Sequence, residues 1–394
     1  MRKITLGTLS ISDQGKRYVN DCLDSNRLSY GKYTREFEEK FATMHGCKHG
    51  IFMNSGTSAL QVALAALKEA HGYKDGDEVL VPATTFIATS NIVLQNNMVP
   101  VFVDVNPRTY NMEYRKIEDK ITPKTRAILP VHLFGLGANM IEVMDIAEER
   151  CLQVIEDSCE AVGSTVDGKP VGSFGDMGCF STYVNHLVVG GVGGLVTTND
   201  DRLAELCRSL MAHGRDSVYS SIDAANGLTG SGLQNVVERR FKFDRVGYSY
   251  RATELEAALA LAELERFDGN VQKRRRNAQQ LTESLKSLTG YLQLPYTPED
   301  FTHSYMMFPI ICLEGVDREK LTMFLEERGV ETRFMFPLLD SPVYSKLFPR
   351  LLEQYPVSQN LARNGIMVGI HQGLGIEDMW YLADTILAYF QANQ

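Results

Sequence analysis

Residues 181–200 read STYVNHLVVGGVGGLVTTND: a strand end, a glycine-rich turn and a second strand, with His186 where the chain leaves the first apolar run. Glycines there let the backbone approach another group, and a polar side chain just before them points into that space. An imidazole moves protons near neutral pH, its ordinary pKa being about 6.5. Three other stretches end apolar runs with residues suited to one anionic, planar ligand. NSGTSAL (54–60) offers hydroxyls and helix-start N–H groups that suit a phosphate, and equally a plain helix cap. TTFIAT (84–89) supplies Phe86, a ring that either lies flat on another ring or joins the core. VIEDSCEA (154–161) gathers Glu156, Asp157 and Glu160 at a strand end. An ionised carboxylate there would keep a pyridine nitrogen protonated; the bland alternative is an N-cap with a solvated first turn. Ser181 is a further candidate for a phosphate.

The elements that must position these residues alternate. Up to about residue 265, short β-rich apolar runs alternate with helical patterns, as in HGIFMNSGTSALQVALAALKEA, DEVLVPATTFIATSNIVLQNN and IEVMDIAEERCLQVIEDS. Such alternation predicts an α/β fold with a mostly parallel sheet wrapped by helices, its ligands at the carboxyl ends of the strands. The stretch 252–288 reads as one long helix bridging two domains. We expect a large α/β domain over 1–268 and a small C-terminal α+β domain over 269–394, with the N-terminal segment a candidate to join the latter. Residues 215–245 lack a clear period and predict a lid or a disordered stretch.

A chain of 394 residues, 44% apolar, has material for a large core. Its net charge of -9 argues against nucleic acid or an anionic membrane as partner. Seven cysteines without a C-x-x-C pair fit a reducing cytoplasm, and neither a signal peptide nor a membrane span is expected.

In chain order, LSYGKYTREFEEKFA, NSGTSAL, PATTFIAT, PVHLFG, EDSCEA, GGVGGLVTTND and YRATELEAALA resemble the motifs of the sugar aminotransferase and dehydratase family (DegT/DnrJ/EryC1/StrS), pyridoxal-phosphate enzymes acting on nucleotide-linked keto sugars. The resemblance covers almost the whole chain and implies the aspartate aminotransferase-like fold (PLP fold type I). It implies that Gly56, Thr57 and Ser58, with Ser181, hold the cofactor phosphate, that Phe86 stacks on the ring, and that Asp157 pairs with the ring nitrogen. It places Glu160 near the ring hydroxyl. Ser249 stands where the family usually has an asparagine that reaches the phosphate across a dimer interface. A homodimer or higher homo-oligomer is therefore expected.

The family's aminotransferases carry at position 186 a lysine that bonds covalently to the cofactor aldehyde. Imidazole has no amine to form that bond, so pyridoxal or pyridoxamine 5'-phosphate is expected to be held non-covalently. The family's 3-dehydratases are similar in carrying histidine here. MAHGRDS is similar to their Trp-Gly-Arg-Asp turn, with His213 in place of tryptophan, while Val192 stands where the family usually has glutamate. The resemblance thus implies C3 dehydration of a nucleotide-linked 4-keto-6-deoxyhexose, with glutamate as amino donor and His186 and Asp157 as catalytic residues. The alternatives are a sugar aminotransferase whose lysine has been replaced, and a non-catalytic cofactor-binding homologue. Arg215, His303 and Arg333 are candidates for the substrate side, with Tyr183 and Arg251 beside them. No cysteine lies between Cys207 and Cys312, so no metal site like the lid-bound iron-sulfur cluster of some dehydratases is expected.

Overall fold

The structure, a computed structural model, describes residues 2–216, 223–335 and 338–392. Helices α1 (Asp13–Asp24) and α2 (Lys32–Met44) precede the predicted alternation. It runs β1 (His49–Met53), α3 (Gly56–His71), β2 (Glu78–Pro82), α4 (Ile87–Gln95), β3 (Val99–Val103), β4 (Thr125–Ile128), α5 (Met140–Arg150) and β5 (Gln153–Asp157). A short ribbon follows, β6 (Thr165–Val166) and β7 (Lys169–Pro170), then β8 (Met177–Ser181), β9 (Gly194–Thr198) and α6 (Asp201–Met211). Seven strands form one sheet in the order β1-β9-β8-β5-β4-β2-β3. The pairings from β8 through β3 are parallel, and β9 runs antiparallel to both of its neighbours.

These strands are apolar without alternation because helices cover both faces. Ile51, Val79, Val81 and Ile155 pack with Leu60 and Leu64 of α3 and Leu203 of α6. Leu80, Ile128 and Val154, pointing the other way, pack with Met140, Val143 and Ala147 of α5. Farther along that sheet, Phe52, Phe180 and Leu195 meet Phe37 and Phe41 of α2.

Three helices follow: α7 (Gly230–Glu238), α8 (Glu254–Leu264) and α9 (Phe267–Ser284). The single helix expected over 252–288 is therefore two. Arg266 leaves helical geometry at φ -107, ψ 2, and its N–H bonds to Glu263 O, tightening the last turn. The break lets α9 serve two cores: Phe267 and Val271 pack with α2, whereas Ala278 and Leu281 enter the second core. The stretch expected as a lid or as disorder contains α7, and residues 217–222 lie outside the described residues.

The remaining elements are β10 (Leu292–Gln293), β11 (Phe301–Thr302), β12 (Phe308–Cys312), α10 (Arg318–Glu326), β13 (Thr332–Phe334), α11 (Pro342–Leu347), α12 (Pro356–Asn364), β14 (Gly365–Val368) and α13 (Ile376–Ala392). An antiparallel sheet in the order β10-β12-β14-β13 packs on α9, α10 and α13. Ile4 pairs with Val330 beside it. None of the described helices is long and apolar enough to cross a membrane.

Candidate active site

The carboxyl edge of the large sheet gathers the motifs of the sequence. After β1, Ser55 adopts an extended conformation and caps α3, its Oγ accepting from Ser58 N at 3.0 Å. Ser58 Oγ donates to Asn54 Oδ1 at 2.7 Å. The first-turn N–H groups of Gly56 and Thr57 have no acceptor inside the helix, and no acidic residue occupies that turn, so the helix start favours an anion. Gly56 is required by space as well. A side-chain carbon on it would stand 2.8 Å from Ser181 Cβ and 3.0 Å from Cys159 Sγ. One on Gly194 would overlap the backbone of Ser55 and Gly56. The glycines after His186 thus bring β9 onto the start of α3, and Ser181, the last residue of β8, closes the other side.

Asp157 ends β5 and is buried, with Oδ2 accepting from Thr89 Oγ1 at 2.8 Å and Oδ1 from Cys159 N at 3.2 Å. Burial pushes its pKa up, and both of those bonds oppose the rise. Thr89 Oγ1 also pairs with Thr85 Oγ1 at 2.8 Å, so a short polar chain runs from Asp157 toward Phe86. That ring, immediately before α4, is 56% exposed on the same edge. Glu160 accepts from Phe134 N at 2.7 Å, and burial, with the charge of Asp157 adding to it, pushes its carboxyl up to about 7.

His186 is fixed at both backbone and ring. Its N–H donates to Tyr183 O at 2.9 Å and Nδ1 to Cys159 O at 2.5 Å. A carbonyl can only accept, so Nδ1 carries the proton and Nε2 keeps its lone pair. Burial, against the opposing bond to Cys159, lowers its pKa to about 4, and Arg274 lowers it further. At neutral pH the ring is a free base with one acceptor nitrogen. Tyr183, 48% exposed, meets it edge-on with ring centroids 6.2 Å apart.

Ser249 lies on a segment that runs beside the end of β1, where Asn54 N bonds to Tyr250 O at 2.8 Å and Arg251 bridges to Met53. Its Oγ accepts from Arg251 Nη2 at 3.0 Å, and the same guanidinium donates to His213 Nε2 at 3.0 Å.

Each of the substrate-side candidates is engaged by its own neighbours. Arg215 lies over the rings of Phe243 and Phe241 and donates to Arg240 O. His303 is buried and stacked on Tyr305 at 3.7 Å, with Nδ1 accepting from Tyr305 N at 2.9 Å and the ring bonded to the Gly135 backbone. Burial lowers its pKa to about 3, as befits a residue that braces a turn. Arg333 lies on β13, the outer strand of the second sheet, exposed and paired with Glu331 at 2.7 Å. Glu156, grouped by sequence with Asp157, points to the opposite face, as the alternation of a strand requires. It accepts from His132 Nε2, Gly172 N, Phe174 N and Gly175 N at 2.6 to 3.0 Å.

Sequence reasoning missed Thr89, whose hydroxyl holds Asp157, and Cys159, whose carbonyl orients His186. Thr89 had a signal, since Thr85 and Thr89 are spaced to share one side of a helix start. Cys159 had none, because it acts through its backbone.

The sequence profile of the DegT/DnrJ/EryC1/StrS aminotransferase family matches residues 10–387. A GDP-perosamine synthase from Escherichia coli O157:H7 is 35% identical over 392 residues, 99% of this chain and 99% of its own. A dTDP-4-dehydro-2,6-dideoxy-D-glucose 3-dehydratase from Saccharopolyspora spinosa is 33% identical over 381 residues, 92% of this chain and 81% of its own. Among solved structures, an E. coli GDP-4-keto-6-deoxy-D-mannose-3-dehydratase with bound hydrated PLP superposes with a TM-score of 0.89 at 27% identity, over 98% of this chain and 100% of that one.

Proposed function

The chain belongs to the DegT/DnrJ/EryC1/StrS aminotransferase family, and from this premise we propose that it is a pyridoxamine-phosphate-dependent 3-dehydratase of a nucleotide-linked 4-keto-6-deoxyhexose, charged by glutamate. Its larger, mostly parallel sheet and smaller antiparallel one are the aspartate aminotransferase-like architecture, PLP fold type I.

The residues present fit pyridoxal phosphate. The helix start at Gly56, Thr57 and Ser58, closed by Ser181, suits the phosphate; its backbone leaves no room for a side chain at 56. Asp157, buried and fixed by Thr89, suits a protonated ring nitrogen, and exposed Phe86 suits the ring face. Glu160, with its raised pKa, suits the ring hydroxyl. When bound, the cofactor supplies an amine that reacts with ketones and a ring that accepts electrons.

The observation that carries the reading is the imidazole at 186, held through Nδ1 with Nε2 free. It removes and returns a proton at Nε2 and offers no amine to tether the cofactor. Asp157 keeps a positive charge beside it favourable. Ser249, with Arg251 and His213, supports the cofactor phosphate or the substrate from a second copy of the chain. Exposed Phe241, Phe243 and Val246 favour such a homodimer. Of the substrate candidates, Arg215 retains a place here through its neighbourhood to that segment.

The test is incubation with pyridoxal phosphate, glutamate and a nucleotide-linked 4-keto-6-deoxy sugar. We expect one ammonia released per sugar and a 3-deoxy-4-keto product. Stable amino sugar without ammonia would favour the second reading, an aminotransferase, which the identity to GDP-perosamine synthase supports. His186→Lys should gain a borohydride-fixed cofactor mass that the native protein lacks.

A further inference from the structure

The first residues of the chain cross from the second sheet to the loop that carries His186. Ile4 N donates to Gly329 O at 2.9 Å and Glu331 N to Ile4 O at 2.8 Å. Ile4 itself is buried among Phe308, Ile310, Val330 and Val368. At the other end Ser12 caps α1, and Arg266 holds Ser10 O at 2.9 Å. Between these anchors Leu6 N donates to Glu331 Oε2 at 3.1 Å.

Thr5 and Gly7 then meet two further groups. Gly373 N donates to His371 Nδ1 at 3.2 Å, which leaves the ring proton on Nε2. That proton goes to Thr5 Oγ1 at 3.0 Å, and the Thr5 hydroxyl donates in turn to Gly7 O at 3.0 Å. The relay runs in one direction, from His371 through Thr5 to Gly7. Gly7 lies against Asn185, the residue before His186. A side-chain carbon on Gly7 would stand 2.6 Å from Asn185 Oδ1 and 3.3 Å from Asn185 Cα. The glycine side of the loop is tied to Thr182, with Gly190 N on Thr182 O and Thr182 N on Gly193 O, both at 2.9 Å, whereas Asn185 is exposed, so the contact with Gly7 restrains the loop from its outer side.

We propose that Thr5 and Gly7 are positioning residues for His186: the relay from His371 seats the N-terminal segment on Asn185 and so fixes where the imidazole stands. This rests on the reading of His186 as the proton-moving group and deepens it. Because Ile4 and Leu6 are tied to Val330 and Glu331, the placement of the second sheet reaches the catalytic loop through the same few residues.

The test uses full-length, cofactor-free protein with ¹³C-labelled histidine and follows the ring signal of His186 by NMR across pH. Thr5→Val keeps the shape of the side chain and removes the relay hydroxyl; Thr5→Ser keeps the hydroxyl. We expect T5V to move the His186 signal and raise its titration midpoint by about half a pH unit or more as the ring becomes better solvated. T5S should match the native protein. G7A should also displace the signal, and adding N185A should return most of it. In turnover, T5V should lower kcat several-fold with KM within about twofold. A folded T5V protein whose His186 signal and midpoint coincide with the native ones would overturn the proposal, as would G7A and N185A effects that simply add. Uptake of pyridoxal phosphate by the native protein is measured separately. Its failure would remove the reading of His186 while leaving the NMR result for Thr5 and Gly7 intact.

Discussion

Asp157 and His186 show how environment, rather than residue type, sets chemical role. The carboxyl is buried, which favours its neutral form, yet bonds from Thr89 and Cys159 pull it back toward the charged state. Removing one of those donors tips the balance. Thr89→Val should raise the Asp157 pKa further, so that its charge is lost at a higher pH on acidification. Cofactor binding, followed by absorbance, should weaken by about tenfold at neutral pH, the equivalent of one lost bond to a charged group. It should also fail earlier than in the native protein as pH falls. His186 is the mirror case: its low pKa of about 4 keeps it a base throughout the physiological range. The sequence showed both residues, but not that Cys159 holds each of them through its backbone. No side-chain pattern records a carbonyl.

At the level of elements, the cradle depends on three chain segments meeting without side chains between them. Gly56→Ala should fold, since alanine suits a helix start, but must push Ser181 or Cys159 away. We expect cofactor affinity to fall by about tenfold or more, measured by titration with pyridoxal phosphate, with the melting temperature within a few degrees of native. Strand and helix alternation made the sheet legible, because Val79 to Val81 and Val154 to Ile155 are apolar on both faces. Other features were not legible. The break at Arg266 follows from a turn that tightens locally in an otherwise helical sequence. Glu156 and Asp157 look alike in sequence, and only the neighbouring strands decide which face carries the ligand. His303 looked functional because its type is reactive; its stacking on Tyr305 depends on a left-handed backbone at that residue, φ 52, which periodicity does not reveal.

For the molecule as a whole, burial of histidines sets its response to acid. Burial lowers the pKa of His45, His186 and His371 to about 4 and that of His303 to about 3. Unfolded, each ring takes up a proton near pH 6.5, which the folded protein refuses until pH falls to those values. Stability is therefore full above about pH 6.5 and declines below it, by about 2 kcal/mol per ring at pH 5. Glu160 acts in the opposite sense, since its folded pKa is raised to about 7, and offsets part of the loss. The melting temperature of cofactor-free protein should fall by about 5 °C or more between pH 7.5 and 5.0. A last consequence concerns the order in which the molecule assembles. Among the described strands β1 forms its ladder with β9, so His49 waits for Thr198, and Ile4 waits for Val330. The segment around Ile4 is thus made well before the strand neighbour that seats it. Under the proposal above, Gly7 can brace Asn185 only after Val330 and His371 exist, whereas the bond from His186 to Cys159 can form as soon as its own loop does.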